Sequence, residues 1–296
     1  MSTATTTPLR TSAAAEPVSR RRALAAAPTT TRTLHVHRVG AGEPLVLLHG
    51  LGESHVGWRP VIDTLSEGYD VIAIDLPGFG RSPALPGTVP PTAINLAAAV
   101  QDTLDDLGIG AYHVAGYSLG ARVAIQLAES DRVRSVIAIA PDGLGTPVER
   151  LQGFIAMVAG RGVAMALAPV DFLFPAGRSL FLAGTRSLPW RIAPADARQL
   201  LSDFAGSPAY EATNWASLFD MPTHLHTITQ PALFLQGTAD PLMAPQIARY
   251  VGLIPGAKLI YLPGLNHVPI SDDPTRVARH MLTFLNQTAP STVSAR

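Results

Sequence analysis

The sequence predicts an α/β architecture: a mostly parallel central sheet flanked by helices, with a helical cap inserted late in the chain. Three observations carry this prediction. Short runs that are apolar at successive positions recur along the chain, as strands covered on both faces require. Helical stretches alternate with them, which is the pattern of βαβ units. One long segment, 146–229, breaks the alternation, holding aromatics and methionines but no convincing strand.

The chain opens on a Thr/Ala/Ser/Pro-rich stretch, residues 1–33, read as a disordered tail. Ser19-Arg20-Arg21-Arg22 is followed by an apolar run of only Ala23 to Ala27. An export signal needs about 7–15 apolar residues, so none is expected. Candidate strands follow at His35–Val39, Leu45–Leu48, Val71–Ile74, His113–Ala115, Val136–Ala140, Leu233–Leu235 and Leu259–Leu262. Candidate helices are Thr92–Leu107, Leu119–Ser130, Pro245–Val251 and Pro274–Leu285. In the first of these Leu96, Val100, Leu104 and Leu107 recur at three- and four-residue steps, and Gly108 supplies a stop. The reading divides the chain into the tail 1–33, a core from 34–145 and 230–286, a helical cap 146–229 and a C-terminal tail 287–296. The cap aromatics, Phe154, Phe172, Phe174, Trp190, Trp215 and Phe219 among them, are expected mostly to form its internal core.

Composition narrows the function. Hydrophobic residues make up 47% and charged residues 15%, so 296 residues can bury a sizeable core. The 22 basic and 22 acidic side chains cancel, which favours neither nucleic acid nor an anionic membrane surface. Without cysteine there is no disulfide, thiolate ligand or cysteine nucleophile. No apolar run of roughly 18 residues is read, so a cytoplasmic location without a membrane partner is expected. Oligomeric state is not readable.

The chemistry gathers where strands end. Gly116-Tyr117-Ser118-Leu119-Gly120 follows a predicted strand and opens a predicted helix. A sharp turn there strains the serine backbone and exposes its hydroxyl, and the glycines two positions away let neighbouring backbone approach. A serine needs a base, and His267 lies in the loop after the last predicted strand. The base needs an orienting acid, and Asp240 lies in the loop after the penultimate strand. Asp142, after the strand ending at Ala140, is the competing acid. In a parallel sheet these loops share one edge, so Ser118, Asp240 and His267 can meet. Two N–H donors are expected to face the developing oxyanion: Leu119 at the elbow and Leu51 in the turn His49-Gly50-Leu51-Gly52. His49 is expected to hold that loop by hydrogen bonds.

These segments resemble the α/β-hydrolase superfamily, in its form with a helical cap. The match runs from about Leu34 to Leu285. It comprises His49-Gly50 with Trp58 downstream, Asp75-Leu76-Pro77-Gly78-Phe79-Gly80-Arg81-Ser82, the serine elbow, and the Asp240 and His267 loops in that order. Tyr117 stands where members often carry histidine, and Ala121 where a further glycine is common. The resemblance implies a serine hydrolase acting on a carboxylic ester or related carbonyl through an acyl-enzyme, on a small, apolar substrate. It leaves open carbon–carbon cleavage or perhydrolysis on the same triad, and a hydrolase-like binding or accessory protein. Superfamily members that use an aspartate nucleophile, the haloalkane dehalogenases and epoxide hydrolases, do not match Ser118.

No cofactor is expected. Gly78-Phe79-Gly80 and Gly50-Leu51-Gly52 lack the third glycine of a dinucleotide fingerprint, and there is no P-loop. His224 and His226 offer two ligands, short of a metal site. No metal is expected.

Overall fold

The computed structural model describes residues 33–171, 175–241 and 243–288. The expected tails up to residue 32 and from 289, together with Phe172, Phe174 and Leu242, lie outside the described residues. Strands β1 (Val36–Val39), β2 (Glu43–Leu48), β3 (Tyr69–Ile74), β4 (Tyr112–Tyr117), β5 (Val133–Ile139), β6 (Ala232–Gly237) and β7 (Lys258–Leu262) form one sheet. Its order is β1-β3-β2-β4-β5-β6-β7. β1 runs antiparallel to β3, and every other neighbouring pair is parallel. The helices in chain order are α1 (Arg59–Ser66), α2 (Ala93–Asp106), α3 (Leu119–Leu127), α4 (Pro147–Leu167), α5 (Pro175–Leu182), α6 (Pro194–Gly206), α7 (Tyr210–Ser217), α8 (Ala244–Leu253), α9 (Pro269–Asp272) and α10 (Pro274–Thr288).

The inner strands are apolar on both faces because both faces are covered, whereas the edge strands β1 and β7 are largely exposed or half-buried. Alternate residues divide between two cores. Leu45, Leu47, Val71, Ala73, Ile137 and Leu235 pack with α1 and α10. Val46, Leu48, Ile72, Val114, Val136 and Phe234 pack with α2, α3 and α8. Every residue of β3, β4 and β6 is buried. β2 lies between β3 and β4, so the chain reverses direction across the sheet at that point. The loops after β2 and β4 therefore open a crevice at the carboxyl edge, where such sheets bind ligands.

All seven predicted strands form, with ends shifted by a few residues at most. The helix α1 was not foreseen. Its signals are present in Pro60 at the first turn and in Val61, Ile62 and Leu65, which are buried. Burying each contributes roughly 1.5–3 kcal/mol. The run is short and polar between those positions, which hides the period.

Helices α4 to α7 fill the segment between β5 and β6. Thr146 and Glu149 begin α4 with a reciprocal capping box. The reading that no apolar stretch reaches membrane length is corrected here. Pro147–Val170 is long and apolar enough to cross a membrane, by length and composition. From Leu151 to Ala168 its one charged residue is Arg161, and the scattered alanines and glycines conceal the run. Val148, Leu151, Ile155, Val158 and Met165 are exposed along this helix. The aromatics are also less internal than expected: Phe204 packs against Phe181 and Tyr210, but Trp190, Trp215 and Phe219 are exposed.

Candidate active site

Ser118 occupies the turn between β4 and α3 with φ 54° and ψ −122°, a conformation that non-glycine residues rarely adopt. Its N–H donates to Ile139 O at 2.9 Å, which ties the turn to β5. The flanking glycines have a steric cause. A Cβ on Gly116 would stand 2.1 Å from Gly120 O, and one on Gly120 would stand 2.3 Å from Leu48 O. Both obstacles are backbone, so no side-chain shift relieves them. Gly120→Ala is expected to destabilise the fold by about 3 kcal/mol or more, read from the midpoint of urea unfolding.

His267 and Asp240 are brought together. His267 Nδ1 lies 2.9 Å from Asp240 Oδ2, and both residues are buried. A carboxylate only accepts, so Nδ1 carries the proton and Nε2 of the neutral ring is left as a base. Asp240 is fixed in turn: Gln236 Nε2 donates to Oδ2 at 2.9 Å, and the N–H of Met243 donates to Oδ1 at 3.1 Å. The two loops can touch because residue 237 is glycine, where a Cβ would meet Leu265 O at 2.2 Å. Burial disfavours the imidazolium, but the Asp240 carboxylate, aided by the charges of Glu53 and Asp142, holds the His267 pKa above its ordinary value. Asp142 instead forms an ion pair with Arg122 at 3.6 Å.

Ser118 and His267 line one cavity of about 330 Å³. Among the described residues no hydrogen bond joins the Ser118 hydroxyl to His267. Such bonds are often long in a free site and tighten when substrate binds. Leu51 lines the same cavity, and the N–H of Leu119 belongs to the first turn of α3, where it has no partner within the helix. His49 braces the Leu51 loop as expected. Its Nε2 accepts from the Leu76 N–H at 2.9 Å, so Nδ1 donates to Gly50 O at 2.8 Å.

Two neighbours of the site, Glu53 and Arg186, were missed by sequence reasoning. Tyr117 donates from its hydroxyl to Glu53 Oε2 at 2.6 Å. Arg186, from the helical segment, donates to both Glu53 oxygens at 2.8 and 3.0 Å. All three residues border the cavity. Burial opposes the Glu53 charge, but Arg186 and the Tyr117 hydroxyl keep its carboxyl below the ordinary range. Nothing in the sequence pairs positions 53 and 186. Arg186→Met leaves a buried carboxylate uncompensated, so a loss of about 3–5 kcal/mol in urea unfolding is expected. The double variant with Glu53→Gln is expected to recover much of it.

A second cluster also escaped the sequence reading. His35 Nδ1 and His55 Nδ1 lie 3.0 and 2.9 Å from the two oxygens of Asp75, and the donor atoms fall within 4.8 Å of one another. The same carboxylate accepts the backbone N–H of His55 at 2.7 Å and of Arg81 at 3.0 Å. It thereby braces the Asp75–Ser82 loop beside the site.

The sequence profile of the Alpha/beta hydrolase family matches residues 45–280. The chain belongs to the alpha/beta hydrolase family. A pimeloyl-(acyl-carrier protein) methyl ester esterase of Aeromonas hydrophila is 31% identical over 259 residues, 82% of this chain and 95% of that protein. The dihydrolipoyllysine-residue acetyltransferase component of the acetoin cleaving system of Cupriavidus necator is 37% identical over 135 residues, 44% of this chain. The match spans only 35% of the length of that relative. A thermophilic esterase from Thermogutta terrifontis superposes with a TM-score of 0.70 at 21% identity, covering 89% of this chain and 100% of that one, a likeness of fold.

Proposed function

We propose that this hydrolase cleaves a carboxylic ester by nucleophilic catalysis. The observation that carries the reading is the His267–Asp240 pair opening onto the cavity that holds Ser118. His267 Nε2 takes the Ser118 proton as Oγ attacks the ester carbonyl carbon. The N–H groups of Leu51 and Leu119 receive the oxyanion. The imidazolium returns its proton to the departing alcohol, leaving an acyl-serine. Water, deprotonated by the same nitrogen, attacks the acyl carbon; the acyl–Oγ bond breaks as the imidazolium returns the proton to Ser118 Oγ, and the acid is released. Asp240 stays ionised throughout and holds the imidazole in one tautomer.

The helical segment 146–229 acts as a cap over this site. Met157, Val163, Phe181, Leu182 and Phe204 wall the cavity, so the substrate presents a neutral hydrocarbon group. The methyl ester esterase relative supports the same bond type. Incubation with short-chain p-nitrophenyl esters is expected to give a burst of nitrophenol followed by steady turnover. A folded protein inert to the whole series overturns the reading.

A further inference from the structure

The backbone on both sides of His267 is held, and both holds lead to one short stretch of the cap. After the base, the N–H of Val268 donates to Thr185 O at 2.9 Å. Before it, the N–H of Asn266 donates to Asp272 Oδ2 at 3.0 Å. The other oxygen of that carboxylate, Oδ1, accepts the N–H groups of Ser187 at 2.7 Å and Leu188 at 3.1 Å. Ser187 Oγ also donates to Gly264 O at 3.1 Å, in the loop that leads to the base. Residues 185–188 therefore grip the base loop at three points, while Arg186 among them reaches Glu53 on the oxyanion side.

Asp272 is the buried centre of this bridge. It is the last residue of α9, the end where free carbonyls gather, so its carboxylate gains nothing from that helix. Its three donors are instead backbone N–H groups from two distant parts of the chain. Hydrogen bonds to an ionised acceptor are roughly twice as strong as neutral ones, and both sides of the bridge use them. Asp273 is the contrast. Its Oδ1 accepts the N–H of Arg276 at 3.0 Å, a local cap on the first turn of α10.

We infer that Asp272 is a positioning residue for His267. It ties the cap to the loop of the base and so fixes where Nε2 stands relative to Ser118. Asp240 orients the ring, and Asp272 sets the backbone from which the ring projects. The inference rests on the ester hydrolase reading. Displacing a reacting group by about 1 Å costs about 10²-fold in rate. Asp272 lies outside the wall of the Ser118 cavity, so substrate binding is spared when its carboxylate is removed.

The test measures kcat and KM on a short p-nitrophenyl ester, and the rate at which a fluorophosphonate labels Ser118. The proteins are the wild type, Asp272→Ala, Asp272→Asn and Asp273→Ala, with rates referred to folded protein. Asp272→Ala is expected to lower kcat and the labelling rate together by about 10²-fold, with KM within about twofold. Asp272→Asn keeps one acceptor oxygen and hence one side of the bridge, so a loss of about tenfold is expected. It carries the test if the alanine variant fails to fold. Asp273→Ala is expected to lower the unfolding midpoint but to leave kcat within about twofold. A folded Asp272 variant with wild-type kcat, or with its whole loss in KM, overturns the positioning role alone, provided the wild type is labelled. So does an equal fall of kcat in Asp273→Ala. A folded wild type that is neither labelled nor active overturns the hydrolase reading and the positioning role with it.

Discussion

Replacing Ser118 with alanine is expected to lower kcat on a short ester by about 10⁶-fold while leaving the fold intact. The size follows from the mechanism. In the proposed mechanism Oγ forms the covalent bond, and the neighbouring Tyr117 hydroxyl is engaged in donating to Glu53. What remains is binding and the two N–H donors, worth about 10³–10⁴ over water. Alanine loses only the hydroxyl, so the unfolding midpoint should move little. Alanine keeps the Cβ, so the backbone strain at φ 54° is unchanged. Rates normalised to the concentration of folded protein, with the wild-type contamination level bounded by fluorophosphonate labelling, and urea unfolding of the same preparation check both halves. A variant that keeps a tenth of wild-type turnover removes Ser118 from the chemistry.

Asp240→Asn is expected to cost about 10⁴-fold in kcat and to move the pH profile. The amide preserves shape, but it can donate to Nδ1 and so favour the tautomer with its proton on Nε2. A ring in that state cannot accept the Ser118 proton. The sign of the pH effect follows from the protonation states. The imidazolium is inactive as a base, so activity falls as pH drops through the His267 pKa. In the wild type the Asp240 carboxylate holds that pKa up against burial, placing the acid limb of kcat/KM above about 6.5. In Asp240→Asn burial dominates, and the limb moves to lower pH. Asp142→Asn removes only a smaller, charge-only contribution to the His267 pKa, its carboxylate being paired with Arg122, so the limb should move less than in Asp240→Asn. If the two variants exchange these behaviours, the acid has been misassigned.

Much of the site was legible because its chemistry is local. The strand–Gly-x-Ser-x-Gly–helix run fixes its own geometry, and Gly116 and Gly120 are legible as space for backbone. Asp240 and His267 were reachable because parallel strands gather their following loops at one edge. What the sequence hid was pairing at long range. Glu53 and Arg186 meet because the segment between β5 and β6 folds back over the loop after β2. No periodicity reports such a return. His35, His55 and Asp75 converge because β1 runs antiparallel beside β3, a pairing that apolar runs cannot specify. The exposed Trp190 and Phe219 mark the converse limit: aromatic residues suggested a core without saying which face they would take.

A crystal structure of the protein after reaction with a small alkyl fluorophosphonate decides whether Ser118, His267 and Asp240 act together. Phosphorus is expected on Ser118 Oγ, with the phosphoryl oxygen accepting from the N–H groups of Leu51 and Leu119, and His267 Nε2 turned toward the adduct with Nδ1 still on Asp240. Folded protein without an adduct, or an adduct beyond the reach of His267, contradicts it.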